Sequence, residues 1–299
     1  MIEADQVLGI DLGATNIRFG VVNPSGALSR FRREAIDRSL KGDELVEWIA
    51  RKVEAADCLE PAGAVAVGLA GMVLPGQVLK PELVILPGLW NYPFTERLAA
   101  RLGKPCWLGN DADQALRGEA HFGAARGYRN VLLLTLGTGI GGGLMLDGRL
   151  REGPHGTSVE IGPMRLGYPA GQPCASIESL YSPGALMKRL GYPEGHLFDY
   201  VRQGDPGARR LADEMFQAIG MLIANIHLLL GLELVLIGGG VAAAGDDLLA
   251  GLRREFQRAC PAEFQFGLRI ELGALPVDTA GVIGAACRWF ELSGRLPAL

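Results

Sequence analysis

The sequence predicts an α/β protein of two lobes, each built on a mixed β-sheet flanked by helices, and three observations predict it. The 299 residues are 48% hydrophobic, enough to fill a core that at this length splits in two. A strand, Gly/Thr turn, strand, tight turn, strand order opens the chain and recurs, by pattern rather than identity, from residue 129 onward. Three Gly-rich runs, at 11–16, 136–143 and 237–241, each follow a short apolar run, where a strand ends and the chain turns.

The elements follow in order. "VLGIDLGATNIRFGVVNPSGALSRFRREA" reads as three strands separated by a Gly/Thr turn and an Asn-Pro-Ser-Gly turn, since β-branched runs are punctuated by turn formers. Residues 43–57 place Leu45, Val46, Ile49 and Val53 at helical spacing. "AGAVAVGLAGMV" is a further strand, "NYPFTERLAARLG" a helix with Thr95 as its expected N-cap, and "KPCWLGND" a strand ending in a polar dipeptide. In the second half "RNVLLLTLGTGIGGGLMLDGRLREG" repeats the three-strand opening, with an Asp-Gly turn before its last strand. "RRLADEMFQAIGMLIANIHLLL" is a helix that becomes apolar nearly all round, and its end is expected to be buried. A strand "LELVLIGGG", a helix "DDLLAGLRREFQRA" and a last apolar helix "GVIGAACRWFELSG" complete the chain. The expected division is a small lobe at 1–111, with the helix of about 285–299 packing back onto it, and a large lobe at 112–284, with a cleft between them.

Composition narrows the classes. A net charge of −4 with scattered basic residues leaves no footprint for nucleic acid or an anionic membrane, so a small soluble substrate is the expected partner. Five widely spaced cysteines with no C-x-x-C pair point to reduced thiols and a cytoplasmic location. No uninterrupted apolar run reaches ~18 residues, and neither a membrane span nor a signal peptide is expected.

The chemistry-bearing residues cluster at strand ends. Glycines there let backbone N–H groups approach phosphate oxygens, and Thr15 and Thr138 add hydroxyls; the plainer alternative for any one of them is an ordinary tight turn. Residues 137–142, "GTGIGG", formally satisfy G-x-G-x-x-G. That fingerprint needs a helix directly afterwards, whereas the alternating "GGLMLDGRL" reads as a hairpin, so a dinucleotide site is excluded. No G-x-x-x-x-G-K-[ST] occurs either. Asp11, at the end of the first strand, could hold Mg²⁺ through water or be a solvated turn residue. Asn110 and Asp111 end another strand before a helix. Such a pair can bind a hydroxyl and take its proton during phosphoryl transfer; it can equally cap the helix, and the two roles are compatible.

Taken in this order, "DLGATNIR", "GND", "LTLGTGIGGG", "EIGP", "LVLIGGGV" and "AGVIGAA" resemble the motifs of the ROK family of sugar kinases, named for repressor, open reading frame and kinase. The family lies within the actin-like ATPase superfamily, with its two-lobed, ribonuclease H-like fold. The resemblance implies an enzyme that transfers the γ-phosphate of ATP to a hexose hydroxyl with Mg²⁺: glucose first, with allose, fructose, mannose or an N-acetyl hexosamine open. It implies Asp111 as the general base, with Asn110, Gly71, Glu160 and Glu178 around the sugar. Asp11, Gly13, Thr15 and Asn16 would line the γ-phosphate and magnesium side, Gly137, Thr138 and Gly139 the β- and γ-phosphates, and Gly238, Gly239 and Gly240 the adenosine. A homodimer is common in the family.

The pattern breaks around the glutamates. Family members commonly hold zinc with the His of GEIGH and three cysteines; here those places carry Pro163, Pro169, Gly171 and Ser176. None of these offers a thiolate or imidazole, so no structural zinc of that type is expected, and Cys174 reads as an ordinary loop thiol. Pro163 also removes a donor from the sugar side, Val159 replaces a small residue, and Glu82 stands where the family has Asn. His155 could reach the sugar or face water. An active kinase with altered acceptor choice is expected; the alternatives are a catalytically weak sugar-binding member or a sugar-responsive repressor. With the first strand read from about Val7, a repressor's helix-turn-helix extension is not expected.

Overall fold

Alternation along the first strand, β1 (Val7–Leu12), sorts its surroundings into layers. A computed structural model describes residues 5–13, 15–74, 78–84, 86–90, 92–152, 159–167, 175–192 and 195–299. Leu8, Ile10 and Leu12 enter one core with Leu45, Val46, Ile49 and Val53 of α1 (Asp43–Ala55) and Leu98 and Leu102 of α2 (Phe94–Leu102). On the other face, Val7 joins Ala64 and Ala66 of β4 (Ala64–Leu69) beneath α9 (Ala280–Leu292). Small residues on that face bring the helix close to the sheet, and Asp11 lies on it by alternation.

The first sheet has the order β3-β2-β1-β4-β7, with β2 (Asn16–Val22), β3 (Leu28–Ala35) and β7 (Cys106–Asn110). β1, β2 and β3 form an antiparallel meander, while β1, β4 and β7 run parallel. A short hairpin of β5 (Gly71–Leu74) and β6 (Val78–Val84) follows β4. α3 (Asp111–Phe122) starts directly at the end of β7.

α3 packs on α9 at very short range. A Cβ on Gly284 would lie 1.6 Å from the Gln114 carbonyl oxygen, and one on Gly118 would lie 2.7 Å from that of Ala280. Arg117 of α3, 1% exposed, is paired with Glu291 of α9 and, at 3.0 Å, with Glu152; His121 Nε2 lies 2.8 Å from Glu291. Each buried charge thus has an opposite partner, without which burial would be strongly unfavourable.

The second sheet repeats the first. Its order is β10-β9-β8-β11-β12, with β8 (Val131–Leu136), β9 (Ile140–Leu146), β10 (Arg149–Leu150), β11 (Leu234–Gly238) and β12 (Arg269–Leu272). β8 and β9 are antiparallel, and β8, β11 and β12 are parallel. Asp147 and Gly148 both have positive φ (54° and 78°), the conformation of a type I′ turn. α4 (Ile177–Tyr181), α5 (Pro183–Leu190), α6 (Leu197–Arg202), α7 (Pro206–Leu230) and α8 (Asp246–Ala259) accompany this sheet. Leu132, Leu134 and Leu136 share its core with Ile219, Leu222 and Ile223 of α7 and Leu248 and Leu252 of α8. Among the described residues no helix is long and apolar enough to cross a membrane, and Cys58, Cys106, Cys260 and Cys287 are free thiols.

The chain divides into one unit of Met1–Arg126, Arg149–Ser158 and Ala274–Leu299 and a second of Gly127–Gly148 and Val159–Gly273. The expected boundary at 111 differs from this, because α3 packs on α9 and stays with the first unit. Thr95 is not the N-cap of α2: that position is Pro93, and the Thr95 hydroxyl is buried inside the first turn with no hydrogen bond among the described residues. The run at 137–142 leads into β9, so it is a hairpin turn rather than a dinucleotide loop.

Candidate active site

Three parallel strands of the first sheet end side by side. Register aligns Leu12 with Leu69 and Leu69 with Asn110, which brings Asp11 on β1 and Asp111, the first residue of α3, to the carboxyl edge of the sheet. That edge is where α/β sheets bind ligands. Burial, and then the charge of Asp111, push the Asp11 carboxyl up to about 7, against the pull of Arg18. Burial also raises Asp111, opposed by the backbone N–H groups of Ala112 and of Asp111 itself and by Arg18. Asp111 Oδ1 accepts from the Ala112 N–H at 2.9 Å.

Arg18 is the cation of this edge. Its Nη1 lies 3.2 Å from Asp11 Oδ2 and its Nε 2.5 Å from Asp278 Oδ1, while Arg33 Nη1 reaches Asp278 Oδ2 at 3.1 Å. Sequence reasoning assigned none of these three. Arg18 was within reach of counting, because a hairpin turning at 13–15 pairs Asp11 with Arg18 across β1 and β2. Asp278, 260 residues further along the chain from Arg18, gave no such signal.

Two carboxylates raised by desolvation, Asp11 further by the charge of Asp111, suit a nearby divalent cation. Mg²⁺ is usually held by one or two carboxylates together with phosphate oxygens and water, and Asp11 offers one such carboxylate. Among the described residues no group of three or more His, Cys, Asp or Glu could hold a metal.

Asn110 caps α3: its Oδ1 accepts from the N–H groups of Ala112 (2.9 Å) and Asp113 (3.1 Å). Its Nδ2 donates to the Gly71 carbonyl at 3.1 Å, and among the described residues its second amide hydrogen has no acceptor. In the first Gly turn the Gly13 N–H donates to the Asn16 carbonyl at 3.1 Å, and Asn16 Nδ2 donates to the hydroxyl of the exposed Thr15 at 2.9 Å.

In the second unit, Gly137, Thr138 and Gly139 link β8 to β9, with Thr138 exposed and nothing within 4 Å of a Cβ on Gly137. Glu178, exposed on α4, reaches this turn: its Oε2 accepts from the Ile140 N–H at 2.7 Å. Ser176 caps α4, its hydroxyl accepting from the Ser179 N–H at 3.2 Å. Glu160 is exposed at the centre of a tight turn in which the Ile161 N–H donates to the Val159 carbonyl at 2.8 Å. Val159 has φ +63°, a left-handed conformation that strains a β-branched residue. Gly238 pairs with Thr135 at the end of β11, and Gly239, with φ +81°, leaves no room for a Cβ, which would lie 2.4 Å from the Leu136 carbonyl oxygen. Pro163 is exposed. His155, Pro169, Gly171 and Cys174 lie outside the described residues.

The ROK family model matches residues 7–291. The chain belongs to the ROK family. It is 31% identical over 307 residues to the glucokinase of Thermotoga maritima, with 94% of this chain and 96% of the relative covered. It is 29% identical over 251 residues to the N-acetylmannosamine kinase of Yersinia pestis, covering 79% and 83%. A ROK family glucokinase from Streptomyces griseus, solved in complex with glucose and AMPPNP, matches with a TM-score of 0.81 at 28% identity, covering 95% and 98%. The two five-stranded mixed sheets flanked by helices are the actin-like arrangement of these ROK structures.

Proposed function

We propose that this chain is an ATP-dependent sugar kinase that transfers the γ-phosphate of ATP to a hydroxyl of a hexose, with glucose as the leading acceptor. The observation that carries it is Asp111: a half-buried carboxylate whose proton affinity is raised by desolvation, fixed at the first position of α3 beside Asp11 and Arg18. A general base works best with a pKa drawn toward the operating pH. In this reading Asp111 takes the proton from the sugar hydroxyl, whose oxygen bonds to the γ-phosphorus as the bond to the β-phosphate oxygen breaks and ADP leaves. The spare Asn110 amide hydrogen, Gly71, Glu160 and Glu178 hold the sugar, and His155 is assigned there on sequence grounds. Gly13, Thr15 and Asn16 face the γ-phosphate, Gly137, Thr138 and Gly139 the β- and γ-phosphates, and Gly238, Gly239 and Gly240 the adenosine. Mg²⁺, held at Asp11 through water, would supply charge neutralisation on the phosphates. Arg18 keeps Asp11 and Asp111 from repelling one another without restraint.

The relatives include kinases of glucose and of N-acetylmannosamine, so allose, fructose, mannose and N-acetyl hexosamines belong in the same screen. A coupled ADP-release assay across these sugars tests the proposal: turnover on one of them supports it, and no turnover on any would leave a catalytically weak, sugar-binding or regulatory member. That second reading is favoured by Pro163 and by the strained Val159, which change the walls around Glu160. A homodimer in the cytoplasm, where ATP is supplied, completes the proposal; light scattering that gives a monomer at micromolar concentration would reject the dimer.

A further inference from the structure

Glu178 does more than face a ligand. Its Oε2 accepts the Ile140 N–H at 2.7 Å, directly after the turn that joins β8 to β9. A Cβ on Gly139 would lie 2.4 Å from that same oxygen, and one on Gly162 would lie 2.9 Å from it. The two glycines therefore leave the space that the carboxylate fills. Backbone hydrogen bonds fasten the region around it: Glu178 N–H to the Gly162 carbonyl at 3.1 Å, Ile177 N–H to that of Met164 at 2.7 Å, and Gly184 N–H to that of Gly137 at 3.0 Å. One carboxylate thus touches the Gly-rich turn and the segment that follows Glu160.

We propose that Glu178 is a positioning residue for the nucleotide phosphates, and that it couples the two substrates because one carboxylate serves both the phosphate turn and the sugar. A glycine-rich turn has wide conformational freedom, and an ionised acceptor on the Ile140 N–H restricts it through a charge-assisted hydrogen bond. Phosphate then meets N–H groups that are already oriented, and less ordering opposes binding. A sugar hydroxyl donating to the exposed side of the same carboxylate fixes its torsion and steadies the turn further. By linkage, each substrate must raise the affinity for the other by the same factor. The sugar half of this inference rests on the sugar-kinase reading; the phosphate half does not.

The test is calorimetric titration of the full chain with MgAMPPNP, without sugar and with saturating glucose. Without sugar, E178A is expected to weaken MgAMPPNP binding by about tenfold or more, the scale of one charge-assisted hydrogen bond. E178Q, which keeps an acceptor oxygen, is expected to return most of that affinity, and the coupling factor between the substrates is expected to collapse to one in E178A. Amide exchange at Ile140 is expected to speed up in E178A and in the milder E178D, whose carboxylate is too short to reach. Wild-type MgAMPPNP affinity in a folded E178A overturns the proposal, even where glucose affinity is lost and the sugar-kinase reading stands. Loss of nucleotide affinity with glucose affinity unchanged supports the positioning role and removes Glu178 from the sugar. If E178A does not fold, unchanged Ile140 exchange and MgAMPPNP affinity in E178D overturn it.

Discussion

Gly284→Ala tests how the fold places the proposed base. A Cβ there would stand 1.6 Å from the Gln114 carbonyl oxygen, against the 3.0 Å below which such contacts essentially never occur. The opposing atom is helix backbone, so α3 and α9 must part by ~1.4 Å, the difference of those two distances. Overpacking of this kind costs roughly 1–3 kcal/mol or more, offset by at most about 1 kcal/mol from replacing a mid-helix glycine. A net loss of ~2 kcal/mol lowers Tm by roughly 4–8 °C, taking about 2–4 °C per kcal/mol for a chain of this size class. The effect on turnover is expected to be larger. α3 carries Asp111 at its first residue, and a misplacement of about 1 Å can reduce a rate on the order of 100-fold. Thermal unfolding followed by steady-state turnover on the best sugar reads both quantities. Wild-type Tm and kcat in G284A would show that the close helix crossing does not set the position of the base, and the reasoning would be refuted.

Two further outcomes are expected. Activity falls as pH drops, because a protonated Asp111 cannot accept a proton, and the acid limb of kcat/KM lies above the ordinary carboxylate range since burial raises both Asp111 and Asp11. The limb belongs to the coupled pair; with Arg18 opposing the rise in both, R18M moves it to still higher pH and R18K moves it back, and a limb that does not move in R18M contradicts the role given to Arg18. Metal analysis of the purified protein is expected to find far less than one zinc per chain, because Pro163, Pro169, Gly171 and Ser176 offer no ligand; stoichiometric zinc would contradict that reading.

Much of this molecule was legible where local chemistry decides structure. The Asp147-Gly148 turn, the hairpin after "GTGIGG" and the strand-to-helix junction at Asn110 and Asp111 each follow from residues within a few positions of one another. Asn110 proved to be a cap, which local chemistry had offered as one of its two readings. Features set by distant partners were harder to read. Thr95 has the side chain of an N-cap, yet α2 begins one residue before it and buries the hydroxyl. The boundary was expected at 111, whereas α3 packs on α9 through Gly118 and Gly284, a contact between segments some 166 residues apart, from 118 to 284. The Glu178 to Ile140 hydrogen bond spans 38 residues and joins two motifs that sequence reasoning had kept separate, one for sugar and one for phosphate.

The central claim is that Asp111 is the base of a sugar kinase. Asp111→Asn keeps the shape and the Oδ1 acceptor for the Ala112 N–H and removes only the ability to take a proton. Measured by ADP release on the sugar that the wild type turns over fastest, kcat is expected to fall by about 10²–10⁴-fold, with sugar and MgAMPPNP affinities within a few-fold of wild type. A kcat close to that of the wild type would contradict the account.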